Sequence, residues 1–232
     1  MMYDIVYVLK NDIKSAEIRY SLRSVDENFP HRKVWFYGGK PEGLKPDEMV
    51  EFKQSGINKW EKVKNSLIKV CKNDDITEDF FLFNDDFYVL KPVEGEFINF
   101  CGEDLKDRAK EIYSRTGKAS QYYSQLMNTA SFLKARGYES RSFVLHVPML
   151  INRKKALEVL TTPNITPMFR SLYGNMANVP AVKKKDVKIH ELQGVPGEDW
   201  EYLSSSDKSF REGEVGVWLK DRFPNPSRFE TI

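Results

Sequence analysis

Phe80-Phe81-Leu82-Phe83-Asn84-Asp85-Asp86-Phe87-Tyr88-Val89-Leu90 is the stretch whose reading decides the fold. Its first four residues are too few for a free-standing helix and are strand formers, so they predict a buried strand. The polar triplet then falls at the strand's end, and a second aromatic and aliphatic run resumes behind it. Adjacent carboxylates at the rim of a buried strand repel each other, and desolvation penalises both. A hard divalent cation such as Mg²⁺ or Mn²⁺ offsets this, because it prefers oxygen ligands and bridges carboxylates to nucleotide phosphates. The competing reading is an Asn-Asp-Asp turn that simply ends a strand, since these are common turn residues. On this stretch alone the two readings stand level.

Working outward, residues 3–9 form a compact apolar run and predict the first strand of a buried sheet. In 15–29, Ile18, Leu22, Val25 and Phe29 recur at helical spacing while Arg19 and Arg23 share another face. Val34-Trp35-Phe36-Tyr37 predicts a second strand, stopped by Gly38-Gly39. Strand, helix and strand of these lengths make a βαβ unit with parallel pairing and a right-handed crossover. Ligands of such sheets bind outside the carboxyl ends of the strands. Residues 9–12, Gly38-Gly39 and Asn84-Asp85-Asp86 therefore share one rim. A second amphipathic helix runs through Ile57, Trp60, Val63, Leu67 and Val70, with Lys59 and Trp60 near its start within reach of that rim.

Further on, 103–137 reads as two helical pieces broken at Thr116-Gly117, 142–152 as a strand, 153–160 as a short helix and 167–173 as another. Segments 186–192 and 200–203 read as late strands and 213–223 as a last helix. No repeat, low-complexity segment or composition break appears, so the expected class is α/β: a single domain, 1–232, with a mostly parallel Rossmann-like sheet flanked by helices.

With 232 residues and a net charge of +2, no bulk field commits the chain to nucleic acid or membrane. No apolar run is long enough to span a bilayer, and the first residues lack a signal-peptide layout. Cys71 and Cys101 suggest no disulfide framework and lack metal-ligand spacing, so a reducing, cytoplasmic setting is expected. Lys183-Lys184-Lys185 reads as a solvated loop. There is no Walker loop, Gly-x-Gly-x-x-Gly, Gly-x-Ser-x-Gly or His-Glu-x-x-His, so the matching kinase, dehydrogenase, hydrolase and zincin readings lack their signatures.

Three polar sites beside apolar segments remain. His146, in Val144-Leu145-His146-Val147-Pro148, is either a core histidine with one satisfied nitrogen or a metal ligand, acid or base. Arg170, in Met168-Phe169-Arg170-Ser171, is either a helix-surface ion pair or a bidentate phosphate ligand. Residues 204–212 gather Asp207, Lys208 and Arg211. This segment is either a polar loop before a helix or a place where Asp207 completes a metal or sugar site while Lys208 and Arg211 neutralise phosphate oxygens.

Four blocks, in order, make the chain resemble the Stealth-type sugar-phosphate transferases and, more broadly, the GT-A nucleotide-sugar glycosyltransferases, among them compact phage and bacterial relatives. Asp4-Ile5-Val6-Tyr7-Val8 is similar to the opening strand block, with Leu9-Lys10-Asn11 where the family has Trp-Val-Asp. Glu17-Ile18-Arg19-Tyr20-Ser21-Leu22-Arg23-Ser24 closely resembles the family's helix, and Phe83-Asn84-Asp85-Asp86-Phe87 its metal block. His146-Val147-Pro148 and Phe169-Arg170-Ser171 echo the third block. Ser206-Asp207-Lys208 and Phe223-Pro224-Asn225-Pro226-Ser227-Arg228-Phe229-Glu230 echo the fourth, with Lys208 where the family has an acid or amide.

The resemblance implies a GT-A-like domain, with 1–100 as the nucleotide-sugar half and 101–232 as the acceptor half. Its expected donor is a nucleotide-diphosphate sugar, a UDP-sugar first, held through Mn²⁺ or Mg²⁺. Asp86 would be the main metal ligand, Asp85 a second ligand or a ribose contact, and Asn84 a hydrogen-bonding neighbour. The segment from Asp4 to Asn11 would hold the base. Arg19, Arg23, Arg170 and Arg211 are candidate diphosphate neutralisers, with Lys59, Trp60 and Lys208 as further donor contacts. Asp207 or His146 would be the base for the acceptor hydroxyl of a glycan, a wall polymer or a hydroxylated DNA base. The rival readings are sugar-1-phosphate transfer and a non-catalytic module that binds glycan or nucleic acid.

Overall fold

The structure is a computed structural model that describes residues 2–13, 16–165 and 168–231. In chain order the elements are β1 (Asp4–Leu9), α1 (Glu17–Asn28), β2 (Val34–Gly38), β3 (Glu48–Glu51), α2 (Lys59–Cys71), β4 (Asp79–Phe83), β5 (Phe87–Val89), β6 (Asn99–Cys101), α3 (Leu105–Thr116) and α4 (Gln121–Lys134). There follow β7 (Met149–Asn152), α5 (Arg153–Leu160), α6 (Phe169–Met176), β8 (Ala181–Lys183), β9 (Lys188–Ile189), β10 (Tyr202–Ser205), α7 (Asp207–Glu212) and α8 (Glu214–Arg222).

Strand alternation divides the core in two. Ile5, Tyr7 and Leu9, Val34 and Phe36, and Phe81 and Phe83 turn to one face, where Ile18, Leu22 and Val25 of α1 pack on them. Val6, Trp35, Tyr37, Phe80 and Leu82 turn to the other face, against residues of α2, α4, α5 and α6. A third cluster joins Tyr88 and Leu203 to Phe210, Val215 and Leu219 of the last two helices.

The central sheet has the order β3-β2-β1-β4-β7, parallel except for the antiparallel edge strand β7. The chain winds outward through β2 and β3 and then crosses to β4 on the other side of β1. The order therefore reverses between β1 and β4, and a ligand crevice opens at their carboxyl ends. Residues 9–12 and Asn84-Asp85-Asp86 flank that point. Gly38 (φ 108°) lets β2 finish beside this rim, since a Cβ there would run into the Leu9 carbonyl. Two small sheets, β5-β10-β9 and β6-β8, flank the main one.

The expected strand over 142–152 is shorter: only Met149–Asn152 pairs with β4. Pro148 has no N–H to donate, and the His146 N–H is taken by a carboxylate instead of a strand. The strand expected at 186–192 is reduced to β9, and that expected at 200–203 runs as β10. The polar strand β3 and the short strands β6 and β8 were not anticipated, nor was α7 as a helix separate from α8. The break at Thr116-Gly117 is a left-handed C-cap at Gly117 (φ 64°). The start of the helix expected from residue 15, and Pro167 in the one expected from 167, lie outside the described residues. Among the described residues no helix is long and apolar enough to cross a membrane.

Candidate functional site

The carboxylates Asp85 and Asp86 occupy the turn between β4 and β5. Helix α1 holds β5 by side chains: Ser21 Oγ donates to the Phe87 carbonyl at 2.6 Å, Val89 N–H donates to Ser24 Oγ at 3.0 Å, and Asn28 Nδ2 donates to the Val89 carbonyl at 3.0 Å. On the other side, strand register sets Lys188 opposite Ser204 and Ser204 opposite Phe87. Both side chains thereby reach Asp86: Lys188 Nζ lies 2.6 Å from Oδ2, and Ser204 Oγ donates to the same oxygen at 3.1 Å. The other oxygen, Oδ1, is buried with no hydrogen-bond partner among the described residues. Burial, with Asp86 next to it, pushes the Asp85 carboxyl up to about 6.

On the α2, α4 and α6 side of the same strand ends lies a cavity of about 320 Å³ lined by Lys59, Trp60, Asn84, Phe87, His146 and Arg170 among others. Arg170 donates to the carbonyls of Val147 (2.6 Å) and Leu82 (3.1 Å), and its guanidinium lies 5.0 Å from the centre of the Phe87 ring. It has no carboxylate partner among the described residues. Burial drives its pKa down to about 10, so it stays charged at neutral pH. His146 is oriented by Asp186, which receives Nδ1 at 2.9 and 3.0 Å and the His146 backbone N–H at 3.1 Å. Arg108 donates to Asp186 as well, at 2.9 Å. Burial alone would raise the Asp186 carboxyl, but the hydrogen bonds and charge of His146, with Arg108, hold it at about 2. With Nδ1–H given to Asp186, a neutral His146 carries its lone pair on Nε2, which has no hydrogen-bond partner among the described residues.

Asn84, Lys59, Trp60, His146 and Arg170 thus line one cavity, while Asp85 and Asp86, in the turn that begins at Asn84, are not among its lining residues, although the charge of Asp86 acts on Arg170. Asn11 is at the carboxyl rim of the sheet too, but as a clamp: it donates to the Phe52 carbonyl and accepts from Gln54 N–H. Asp4 departs from expectation. It is fully buried at the opposite, amino end of β1, where Arg32 grips both carboxylate oxygens at 2.7 and 2.6 Å and Trp35 Nε1 and Thr77 N–H also donate to it. Arg19 and Arg23 depart as well: both bind Glu230 near the end of the chain, and Arg23 also donates to the Phe223 and Pro224 carbonyls. Asp207 and Arg211 pair with each other across one turn of α7 at 2.9 Å, 64% and 56% exposed, and Lys208 is an exposed neighbour. They are not among the cavity's lining residues. Asp186, Lys188 and Ser204 were not singled out from the sequence. Their partners lie 40, 102 and 118 residues away, and no local pattern reports them.

Among the described residues no three His, Cys, Asp or Glu side chains are gathered to hold a metal ion. Asp85 and Asp86 still fit Mg²⁺ or Mn²⁺ in one respect. Such ions are commonly held by one or two carboxylates, completing their shell with water and substrate phosphate, and Asp86 Oδ1 is a buried acceptor lacking a donor among the described residues.

No family model matches the chain, and no curated protein matches it. Among solved structures, the glycosyltransferase GlyE of Streptococcus pneumoniae TIGR4 is similar at 10% identity and a TM-score of 0.34, over 75% of this chain. The chain spans 43% of that protein's length.

Proposed function

We propose that the chain is a glycosyltransferase that moves a sugar from a nucleotide-diphosphate sugar, a UDP-sugar first, to an acceptor hydroxyl. The observation that carries this reading is a buried guanidinium, Arg170, with no carboxylate in hydrogen-bond range among the described residues, sharing one cavity with a histidine whose Nε2 has no hydrogen-bond partner among them. Asp86 offsets this cation only through space, and a planar guanidinium suits phosphate oxygens. Lys59, its ammonium 4.8 Å from the centre of the Trp60 ring, offers charge for the nucleotide at the same cavity. His146 Nε2 takes the proton of the acceptor hydroxyl as its oxygen bonds to the anomeric carbon, while the bond from that carbon to the diphosphate breaks and the nucleoside diphosphate leaves. Asp186 stabilises the imidazolium that forms. A divalent ion held by Asp85 and Asp86 would supply Lewis-acid stabilisation of the departing phosphate oxygens. The acceptor class is a glycan, a wall polymer or a hydroxylated DNA base.

The resemblance to the Stealth type supports a second path, in which the acceptor attacks the sugar-side phosphorus and a nucleoside monophosphate leaves. Glycosyl transfer is preferred because Leu9-Lys10-Asn11 and Lys208 depart from the phosphotransferase blocks. Slow donor hydrolysis, with water in place of the acceptor, tests both. Chromatography after incubation with UDP-sugars and Mn²⁺ should show UDP. UMP with sugar-1-phosphate would transfer the assignment to the second path. No donor binding and no product would leave a non-catalytic binding module.

A further inference from the structure

Lys188 is built into the rim by strand register, and its side-chain hydrogen bond among the described residues goes to Asp86. Both side chains are nearly enclosed, at 15% and 14% exposed. Oδ2 of Asp86 is therefore occupied by an ammonium and a hydroxyl, whereas Oδ1 is buried with no partner among the described residues. The local charge count sharpens this asymmetry. Asp85 and Asp86 bring two negative charges, which Lys188 and Arg170 already match, and Lys10 and Lys59 add further positive charge nearby. A divalent ion arriving alone at Oδ1 brings two further positive charges onto a carboxylate whose other oxygen already holds the Lys188 ammonium, so ion and ammonium repel each other across it. A nucleotide diphosphate arriving with the ion cancels that added charge and offers the ammonium new oxygens.

We infer that Lys188 is a displaceable internal counter-charge: it holds Oδ2 of Asp86 until a nucleotide diphosphate arrives, then moves onto the diphosphate and relieves the repulsion that keeps a divalent ion from Asp86. This rests on the donor-binding reading above and goes beyond it by making metal binding conditional on the nucleotide. The two ligands are then positively coupled, each raising the other's affinity by the same factor.

Calorimetric titration of the whole chain with Mn²⁺, with and without UDP, tests the coupling in the parent, Lys188→Met and Lys188→Arg. In the parent, UDP should tighten Mn²⁺ binding at least about tenfold. Lys188→Met should bind Mn²⁺ alone at least about tenfold tighter than the parent and gain little more from UDP. Lys188→Arg should keep the parent's dependence on UDP. If Lys188→Met does not fold, Lys188→Gln provides the same comparison, with a thermal-shift series in Mn²⁺ alone as a second readout. A neutral variant that binds Mn²⁺ alone no better than a parent showing the UDP effect would overturn the inference and leave the donor reading standing. A parent that binds no UDP, with or without Mn²⁺, would overturn the donor reading and the inference with it.

Discussion

Two charge clusters are built partly from the motif blocks, and they differ in one physical respect. Around Glu230 every bond is used: Oε1 takes Arg23 Nε at 2.7 Å and Ser227 N–H at 3.0 Å, and Oε2 takes Arg23 Nη2 at 3.0 Å and Arg19. At the carboxyl rim of the sheet the inventory does not close. Asp86 Oδ1 has no donor, Arg170 has no carboxylate and His146 Nε2 has no partner among the described residues. A saturated cluster is scaffolding, and an unsaturated one retains capacity for something that is not protein. Resemblance at the level of motif does not separate the two. Arg19 and Arg23 lie in the most specific block, and yet they fasten the end of the chain to α1.

The largest effect should come from the rim. Asp86→Asn keeps the shape of the side chain and removes the charge. Turnover should fall by about 10³-fold or more, because metal-based stabilisation of a departing phosphate is worth several kcal/mol. Circular dichroism should show an intact fold, while Mn²⁺-dependent stabilisation by UDP disappears. If that stabilisation persists unchanged, Asp86 belongs with the saturated cluster.

Next in size is His146→Ala, with an expected loss of about 10² to 10⁴ in turnover, the usual range for a general base. Asp186→Asn should lower kcat more than KM, since it disturbs the tautomer and orientation of the imidazole rather than donor contacts. Parent-like kcat in both variants would reduce the dyad to a loop fastener holding the 142–148 segment.

The contrast also explains what could be read in advance. Near-continuous apolar runs in β1, β2 and β4 reveal the central sheet directly, because each of these strands is buried on both faces by large side chains. The half-buried Glu48–Glu51 strand has no such run and owes its pairing to β2. The apolar stretch 142–148 misleads for the opposite reason: its apolar side chains are buried, but its backbone bonds go elsewhere. Asn84-Asp85-Asp86 was legible as a rim because it interrupts a buried pattern. Asp186 and Lys188 were not, since a charged residue in a lysine-rich segment carries no mark of a partner 40 or 102 residues away. Arg19 and Arg23 were legible as one helix face but not as the clamp of a glutamate more than 200 residues on.

A pair of matched substitutions tests the contrast itself. Arg170→Lys should weaken UDP binding about 10- to 100-fold, the range for losing hydrogen bonds between charged groups. Arg23→Lys should leave UDP affinity at the parent value and lower unfolding stability by about 1–3 kcal/mol. Calorimetry and urea unfolding on both variants check this. If Arg23→Lys weakens UDP binding as much as Arg170→Lys, the partition into scaffold and site fails.

The saturated cluster should also show in the pH dependence of stability. Burial alone would raise the Glu230 carboxyl, but its bonds to Arg23, Ser227 and Arg19 hold it at about 2, against an ordinary value of 4.5. A carboxylate depressed in the folded state stabilises fully above its unfolded pKa, and that contribution is lost as pH falls from about 4.5 toward about 2. Glu230→Gln should therefore lower stability by about 2 kcal/mol near neutral pH, with the gap from the parent narrowing on acidification. An equal gap at about pH 7 and about pH 3 would mean that the ionised carboxylate is not what the clamp uses.

The smallest effect is expected where the motif blocks had suggested catalysis. Asp207 and Arg211 form an i,i+4 pair on the outer face of α7, both more than half exposed. Exposed pairs at this spacing contribute about 0.3–0.5 kcal/mol and are screened by salt. Asp207→Ala should therefore change stability by no more than that, and Arg211→Ala likewise. Neither residue lines the cavity that holds His146 and Arg170, so kcat at saturating donor should stay at the parent value in both variants. The segment nevertheless follows directly on β10, whose Ser204 bonds Asp86, so α7 lies in sequence next to the rim. That adjacency makes an acceptor titration the discriminating measurement. A rise in acceptor KM with unchanged donor affinity would assign the pair to acceptor recognition at the edge of the site. A loss of kcat beyond about tenfold, larger than an exposed pair can account for, would return Asp207 to the reaction and displace His146 as its base.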